Sequence, residues 1–531
     1  MTLLYWAVGL AAMIMAASTL ALWSYGRFAR LARGATAHAL PRQPDATPLD
    51  RIVAPLEAAH ADRTGLANVL DGREAFALRA LSARAAGRSL DMMYYLWRDD
   101  MTGRLLAREL IAAADRGVRV RLVLDDINVQ GFDPSYLALD DHPNIEVRLF
   151  NPIRNRHGAL RRGLEILLGI VRFNRRLHSK MWIADGRLGV IGGRNVGDSD
   201  FDAVGRRARR RKRDARDADL LMAGAALGEA ERLFDAYWNS GITLPISALW
   251  KGHVTSLDWL RRRLDDTLAG QRVRGYLGQA LGTARTLPGR PDTAADDLAP
   301  RARSLRWTDT ARVLADPPEK ALGSGRSEWM PEAMQPLFDG ARESLQLATP
   351  YFVPGRDGMA TLRRLLGRGI RLSVVTNALS ATNHIIVHGA YRRYRRPLLA
   401  AGAQLYEFAP GRPRQRATRS EPHAMLHAKY FIVDRRLALV GSFNFDMRSI
   451  FLNTEMGVVF EEPVLVEELA RDFDSMIAPG QSYTLSLETG QLRWVSPLKG
   501  GAVSLDREPG APRLRRAITW AIGHLPIHSY L

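Results

Sequence analysis

Leu177–Asn195, LHSKMWIADGRLGVIGGRN, is repeated far downstream as Leu426–Asn444, LHAKYFIVDRRLALVGSFN. The first copy sets His178, Lys180 and Asp185 ahead of Gly192, Gly193 and Asn195; the second sets His427, Lys429 and Asp434 ahead of Gly441, Ser442 and Asn444. In both, His precedes Lys by two residues, Lys precedes Asp by five, Asp precedes the first glycine by seven, and that glycine precedes Asn by three. MWIADGRLGVI and YFIVDRRLALV each read as two short strands joined at an Asp-led turn. Side chains two apart on a strand share a face, so His178 projects with Lys180 and His427 with Lys429. The glycines after each second strand let backbone approach a ligand closely.

The flanking sequence repeats as well. SLDMMYYLWRDD predicts a strand, TGRLLARELIAAADRG a helix with apolar residues three and four apart, and VRVRLVLDD a second strand. SLQLATPYFVP, GMATLRRLLGRG and IRLSVVTNAL give the same βαβ order in the second half. Arg116–Gly117 and Arg368–Gly369 correspond at an offset of 252, and the two histidines at 249. Two landmarks agreeing this closely indicate a duplicated α/β domain. The expected fold is two lobes in pseudo-twofold contact, each a mixed sheet flanked by helices, with one shared site at their seam.

Two imidazoles, two ammonium groups and two carboxamides in one cleft suit a phosphodiester. Lys180, Lys429, Asn195 and Asn444 would hold the phosphoryl oxygens, while one His attacks phosphorus and the other protonates the leaving oxygen. The pattern H-x-K-(x)4-D-(x)6-G-(S/G)-x-N resembles the phospholipase D superfamily. GSFNFDMRSIFLNTEMGVVF, YYLWRDDMTGRLL, HPNIEVRLFNP, YWNS and VHGAYRRYRRPLL are similar to bacterial cardiolipin synthases, most of all their C-type branch. The likeness runs from about Ala54 to the C-terminus.

That resemblance implies a two-step phosphatidyl transfer through a phosphohistidine, without cofactor or metal, on phosphatidylglycerol and a second phospholipid such as phosphatidylethanolamine. It implies catalytic roles for both His-Lys-Asp sets, with attack by His178 by analogy. Gly193, Asn195, Ser442 and Asn444 become phosphate supports, and Glu455 becomes the acid that orients His427. Asp217 and Asp219 are candidates for the matching acid of the first lobe. Asp185 and Asp434 read better as turn or inter-lobe supports than as reacting groups. Asp446, Arg448 and Ser449 belong to the DxRS segment beside the site, and His388 and Tyr391 are headgroup contacts by resemblance. Two departures bear on headgroup choice: Asn383 where an acid is usual, and Ile127 where a polar residue is usual. A hydrolytic phospholipase D, a nuclease of the same superfamily and a non-catalytic lipid scaffold are the rival readings.

The 531 residues contain no cysteine, which excludes disulfides, thiolate zinc clusters and Cys nucleophiles. A net charge of +19 favours a polyanionic partner, either an anionic membrane surface or nucleic acid. The N-terminus chooses the membrane. Leu3–Trp23 carries no charge over 21 residues and is followed by Arg27, Arg30 and Arg33. It reads as an uncleaved single span of a bacterial inner membrane with the catalytic body cytoplasmic, rather than as a signal peptide.

The expected divisions are an anchor at 1–33, a linker at 34–53, a first lobe at 54–245, a helical connection at 246–320, a second lobe at 321–495 and a tail at 496–531. The tail is expected either on the membrane surface or packed as a C-terminal helix. GALRRGLEILLGIVRFNRR is expected as a partly buried helix, with an interfacial helix as the alternative. RRARRRKR, Arg206–Arg213, reads as a solvated loop that could also hold anionic headgroups.

Overall fold

The computed structural model describes residues 2–156, 158–204, 214–250, 255–282, 290–410, 424–498 and 501–524, and in it each repeated string lies inside its own mixed sheet. Among the described residues the first sheet has nine strands. In spatial order these are Arg306–Thr308, Thr64–Val69, Asp219–Gly224, Leu188–Gly192, Lys180–Ala184, Ser89–Tyr94, Arg119–Asp125, Ile145–Phe150 and Thr243–Pro245. The second has ten: Arg312–Ala315, Met456–Phe460, Leu437–Gly441, Tyr430–Val433, Ser344–Ala348, Arg371–Asn377, Gln404–Phe408, Ser482–Glu488, Gln491–Leu498 and Gly501–Leu505. The central six strands of each sheet match in order and direction. Ser89–Tyr94, Arg119–Asp125 and Ile145–Phe150 are mutually parallel, as are Ser344–Ala348, Arg371–Asn377 and Gln404–Phe408.

The crossover helices are where the apolar spacing puts them. Met101–Asp115 buries Leu105, Leu106, Leu110 and Ile111, and Gly355–Gly367 buries Met359, Leu362 and Leu365. Each ends at its Arg-Gly pair, with Gly117 at φ +92° and Gly369 at φ +80°, a left-handed turn that glycine adopts at little cost. The chain then enters the next parallel strand.

The lobes share more than a surface contact. Asp214–Arg216 of the first pairs in parallel with Ala424–Leu426 of the second. One buried apolar cluster takes Ile191, Leu220 and Met222 from the first sheet and Ala438, Val440, Met456 and Val458 from the second. The seam is therefore built as a core, and groups mounted on it are held by both lobes.

Segment 246–320 is stitched to both lobes. Its strand Arg306–Thr308 joins the first sheet and Arg312–Ala315 joins the second, so the connection expected to be helical also carries two strands. The tail adds strand Gly501–Leu505 to the second sheet, and helix Arg513–His524 packs on helix Ile385–Ala400.

Helix Thr2–Leu31 contains an 18-residue window of mean hydropathy 1.7 within Leu4–Leu31, and at about 1.5 Å per residue it is long enough to cross a bilayer. Its Leu4, Trp6, Leu20 and Trp23 are exposed. Its last turns dock on the first lobe, where the Tyr25 hydroxyl donates to Pro152 O at 2.7 Å and the Arg172 guanidinium lies 3.6 Å from the Tyr25 ring centre. The stretch expected as one partly buried helix forms two: Ala159–Leu168, which contacts the N-terminal helix and has no fully buried residue, and Ile170–Phe173, which buries Phe173. Leu160, Leu164, Leu167, Ile170 and Val171 are 55–87% exposed. Arg206–Arg213 lies outside the described residues.

Candidate active site

Each histidine sits just ahead of its strand pair, which begins at Lys180 in the first copy and Tyr430 in the second, and its backbone is fastened to the opposite lobe. His178 N donates to Thr454 O at 2.9 Å, and His427 N donates to Arg216 O at 2.8 Å. Thr454 N returns a bond to Arg176 O, and Asp125, at the end of its parallel strand, accepts from Leu177 N at 2.9 Å. Both imidazoles and the side chains of Asn195 and Asn444 then line one cavity of about 670 Å³ between the lobes. Tyr95, Arg98, Asn128 and Asp200 of the first lobe and Tyr351, Asn383, His384, Asp446, Arg448 and Asn453 of the second complete much of its wall.

The carboxylates cross the seam. Glu455, in the second lobe, accepts from His178 Nδ1 at 2.8 Å; Asp217, in the first, accepts from His427 Nδ1 at 2.6 Å. The expectation that Glu455 orients His427 is therefore corrected, because the two acids are exchanged between lobes. Asp219, the other candidate, bonds instead to buried Arg79 at 3.0 Å. Each Nδ1–carboxylate bond leaves Nε2 as the free ring nitrogen to face the cavity.

Burial and charge set the proton states. Burial lowers the His178 pKa to about 4 against the pull of Glu455, and burial also lowers that of His427. Burial pushes both carboxyls up, yet the neighbouring imidazoles and ammonium groups outweigh it and hold Glu455 and Asp217 at about 2. Burial brings Lys180 down to about 7 and lowers Lys429 too. Each ammonium bonds back to the carbonyl of its own histidine, His178 O or His427 O. Weakly protonated cationic groups around one cavity gain charge when an anion enters, which is the electrostatics of an anion site.

The supporting residues differ between the copies. Ser442 Oγ donates to Glu455 Oε2 at 2.5 Å and Ser449 Oγ to Oε1 at 2.7 Å. Gly193 stands where Ser442 does, and a Cβ there would lie 2.2 Å from Asp217 Oδ1. Arg194 is buried and donates to Val69 O, Leu70 O and Asp217 O, fixing the segment that carries Asp217. The Oδ1 atoms of Asn195 and Asn444 are buried without a hydrogen-bond partner among the described residues. Arg448 donates across the seam to Asn174.

Asp185 and Asp434 lie at the strand turns, both at φ 53°. Asp185 accepts from the amides of Gly87, Arg88 and Ser89, and Asp434 from those of Arg342, Glu343 and Ser344, at 2.7–3.0 Å. They tie each hairpin to the start of its neighbouring strand within the same lobe, which corrects their inclusion among the catalytic groups. His388 and Tyr391 are likewise corrected as headgroup contacts. Both are buried under the second lobe, His388 against Arg395 and Glu508, and Tyr391 against Phe352. His384, one turn earlier, faces the cavity instead. Asn383 lines it too, accepting from the Tyr351 hydroxyl at 2.8 Å, while Ile127 is exposed and off its wall.

Asp200 lies outside the repeated string, and reasoning from that string misses it. Its signal is positional: it lies five residues after Asn195 just as Ser449 lies five after Asn444. Asp200, Asp217 and His427 each bring a ligand-type atom within 4.8 Å of the others. With Asp217 and His427 already bonded and Lys429 beside them, this cluster suits a proton better than a cation.

Fold and site together define a two-lobed phospholipase D-like enzyme, with one histidine from each lobe facing a common cavity. Residues 82–205 and 334–477 match the family model described as cardiolipin synthase, PLD-like domain, and the chain belongs to that family. It is an enzyme of the phosphatidyltransferase type. It is 34% identical to cardiolipin synthase C of Escherichia coli K12 over 90% of this chain and 98% of that protein. It is 26% identical to cardiolipin synthase 1 of Bacillus anthracis over 78% of this chain and 66% of that one. The phosphatidylserine synthase structure from Haemophilus influenzae superposes with a TM-score of 0.56 over 88% of this chain and 95% of that chain, at 13% identity, a likeness of fold.

Proposed function

We propose that the protein joins two phospholipids into cardiolipin at a bacterial inner membrane, taking the phosphatidyl group from phosphatidylglycerol. The observation that carries this is the single inter-lobe cavity faced by both imidazoles, each backed by an acid of the other lobe. The cardiolipin synthases to which the chain is similar supply the lipid class. The exposed apolar helix followed by Arg27, Arg30 and Arg33 supports an anchored chain with its catalytic body on the cytoplasmic side.

In the first step Nε2 of His178 attacks phosphorus, the bond from phosphorus to the glycerol oxygen breaks, and Nε2–H of His427 gives its proton to that oxygen. In the second, His427 takes the proton of an acceptor hydroxyl, that oxygen bonds to phosphorus, and the bond to His178 breaks. Lys180, Lys429 and the carboxamides of Asn195 and Asn444 hold the phosphoryl oxygens throughout. Glu455 and Asp217 keep each ring in the tautomer with Nε2 turned to the phosphate.

The test is lipid mass spectrometry after expression in a host lacking cardiolipin, with phosphatidylglycerol and phosphatidylethanolamine labelled separately. Cardiolipin is expected from the wild type, and none from His178→Ala or His427→Ala, which remain folded in the membrane. Phosphatidic acid without a diphosphatidyl product would mean that water is the acceptor and the protein a hydrolase.

A further inference from the structure

We propose that Asp200 makes the His427 side of the site its proton-holding side, and thereby decides which of the two imidazoles acts as the general acid. The inference deepens the reading above and rests on its two-histidine chemistry, though not on its lipid products. It starts from a position where the duplicated lobes match in place and differ in chemistry. Asp200 and Ser449 are related by the same offset of 249 as the histidines. They also do the same local job: Asp200 Oδ1 accepts from Asn195 N at 3.1 Å, and Ser449 Oγ accepts from Asn444 N at 3.2 Å. Both are buried, and Asp200 lines the cavity.

The rest of the surroundings follows this difference. Around Glu455, the hydroxyls of Ser442 and Ser449 both donate to the carboxylate that holds His178, so its charge is shared among three donors. Around Asp217 neither hydroxyl exists. Gly193 replaces the first, leaving Asp217 Oδ1 to the Ala218 amide at 2.8 Å, and Asp200 replaces the second with another carboxyl. His427 thus has two carboxyl groups within 4.8 Å, whereas Glu455 is the one acid whose charge acts strongly on His178.

The other charges do not reverse this. Lys429 faces His427 and opposes its protonation, as Lys180 and Lys429 do for His178. Arg98 acts on Asp200, not directly on the ring. Asp446 caps the Ser449 amide at 2.8 Å and feels Glu455 and Arg448, and burial pushes it up to about 7. Arg448 is held by Asn174, and burial lowers His384. Two carboxyls and an imidazole so close titrate as a unit, and the proton they hold belongs to the cluster. A cluster with one more acid than its counterpart keeps a proton to higher pH. His427 is the ring through which that proton reaches the leaving oxygen, and His178 stays free to attack.

Asp200 is a positioning residue in this scheme, acting through His427, and its signature is dependence on the leaving group. An alkoxide needs a proton as it departs, and a nitrophenolate does not. We compare full-length Asp200→Asn and Asp200→Ser, each retaining an acceptor for the Asn195 amide, with the wild type and with Asp200→Glu. The substrates are phosphatidylglycerol in mixed micelles and a nitrophenyl phosphodiester in a rapid-mixing burst. For Asn and Ser the ratio of alkyl to aryl rates is expected to fall about tenfold at pH 8, and the alkaline limb of kcat on phosphatidylglycerol to move down by about one pH unit. Asp200→Glu is expected to restore both.

Equal losses on both substrates with an unmoved pH profile would overturn the inference and leave Asp200 a structural cap. It is overturned equally if only one of the two variants folds and its ratio is that of the wild type. A wild type that cleaves both diesters yet forms no cardiolipin would sink the lipid product assigned above while leaving the role of Asp200 to be read from the ratio.

Discussion

Glu455 accepts from His178 and Asp217 from His427, so neither lobe contains a complete His–acid pair of its own. At the residue scale this has a consequence for stability as well as chemistry. Burial holds His178 at about 4 against an ordinary 6.5, so the unfolded chain takes up a proton in a range where the folded chain does not. Stability from this group is fully present above pH 6.5 and is lost as pH falls towards 4, at up to about 1.4 kcal/mol per unit. Glu455 and Asp217, lowered to about 2 from ordinary values of 4.5 and 3.8, lose theirs as pH falls through the carboxyl range towards 2, so the change between pH 7.5 and pH 5 belongs chiefly to the imidazole. Urea unfolding at pH 7.5 and pH 5 is expected to show a fall for the wild type that is smaller in His178→Gln by about 2 kcal/mol. Equal falls would mean that His178 is readily protonated in the folded protein.

At the scale of the element, the unit is the strand pair with its aspartate turn. Asp185 is buried and accepts three backbone amides, and Asp434 makes the same three bonds at a more exposed place. Removing a buried acceptor leaves its donors unsatisfied. Asp185→Ala is therefore expected to lose about 2–4 kcal/mol of stability, and Asp434→Ala less. Folded material of either, measured per folded molecule, is expected to retain turnover within a few-fold. A loss of turnover as complete as that of a histidine variant, with stability unchanged, would place these carboxylates in the chemistry. Much at this scale is legible in the sequence: the residue spacing predicts both hairpins, and the periodicity predicts both crossovers. What local sequence does not show is which face of a helix a later segment covers. His388 is shut away against Glu508, 120 residues on, and Tyr391 against Phe352 in the core of the second lobe. The apolar block at 159–171 looks like core for the converse reason: its spacing fits burial, yet the N-terminal helix touches it and still leaves Leu160, Leu164, Leu167, Ile170 and Val171 exposed.

At the scale of the whole molecule, the duplication matters because it faces two similar half-sites towards one cavity and fuses them through a shared core. The repeat shows in the sequence, but the exchange of acids does not. It depends on contacts 277 and 210 residues apart, which only docking of the lobes creates. Docking also makes the half-sites unequal, through Asp200 opposite Ser449 and Gly193 opposite Ser442. In the mechanism proposed above, the two lobes act on the same molecule of substrate, one ring bonding to phosphorus while the other releases the alcohol. The direct measurement is rapid quenching with labelled phosphatidylglycerol, followed by mass spectrometry of the peptides bearing His178 and His427. A phosphatidyl group is expected on His178 of the wild type, and on neither peptide in His427→Ala or His178→Ala. An adduct that forms at the wild-type rate with either histidine removed would contradict a site built from both lobes.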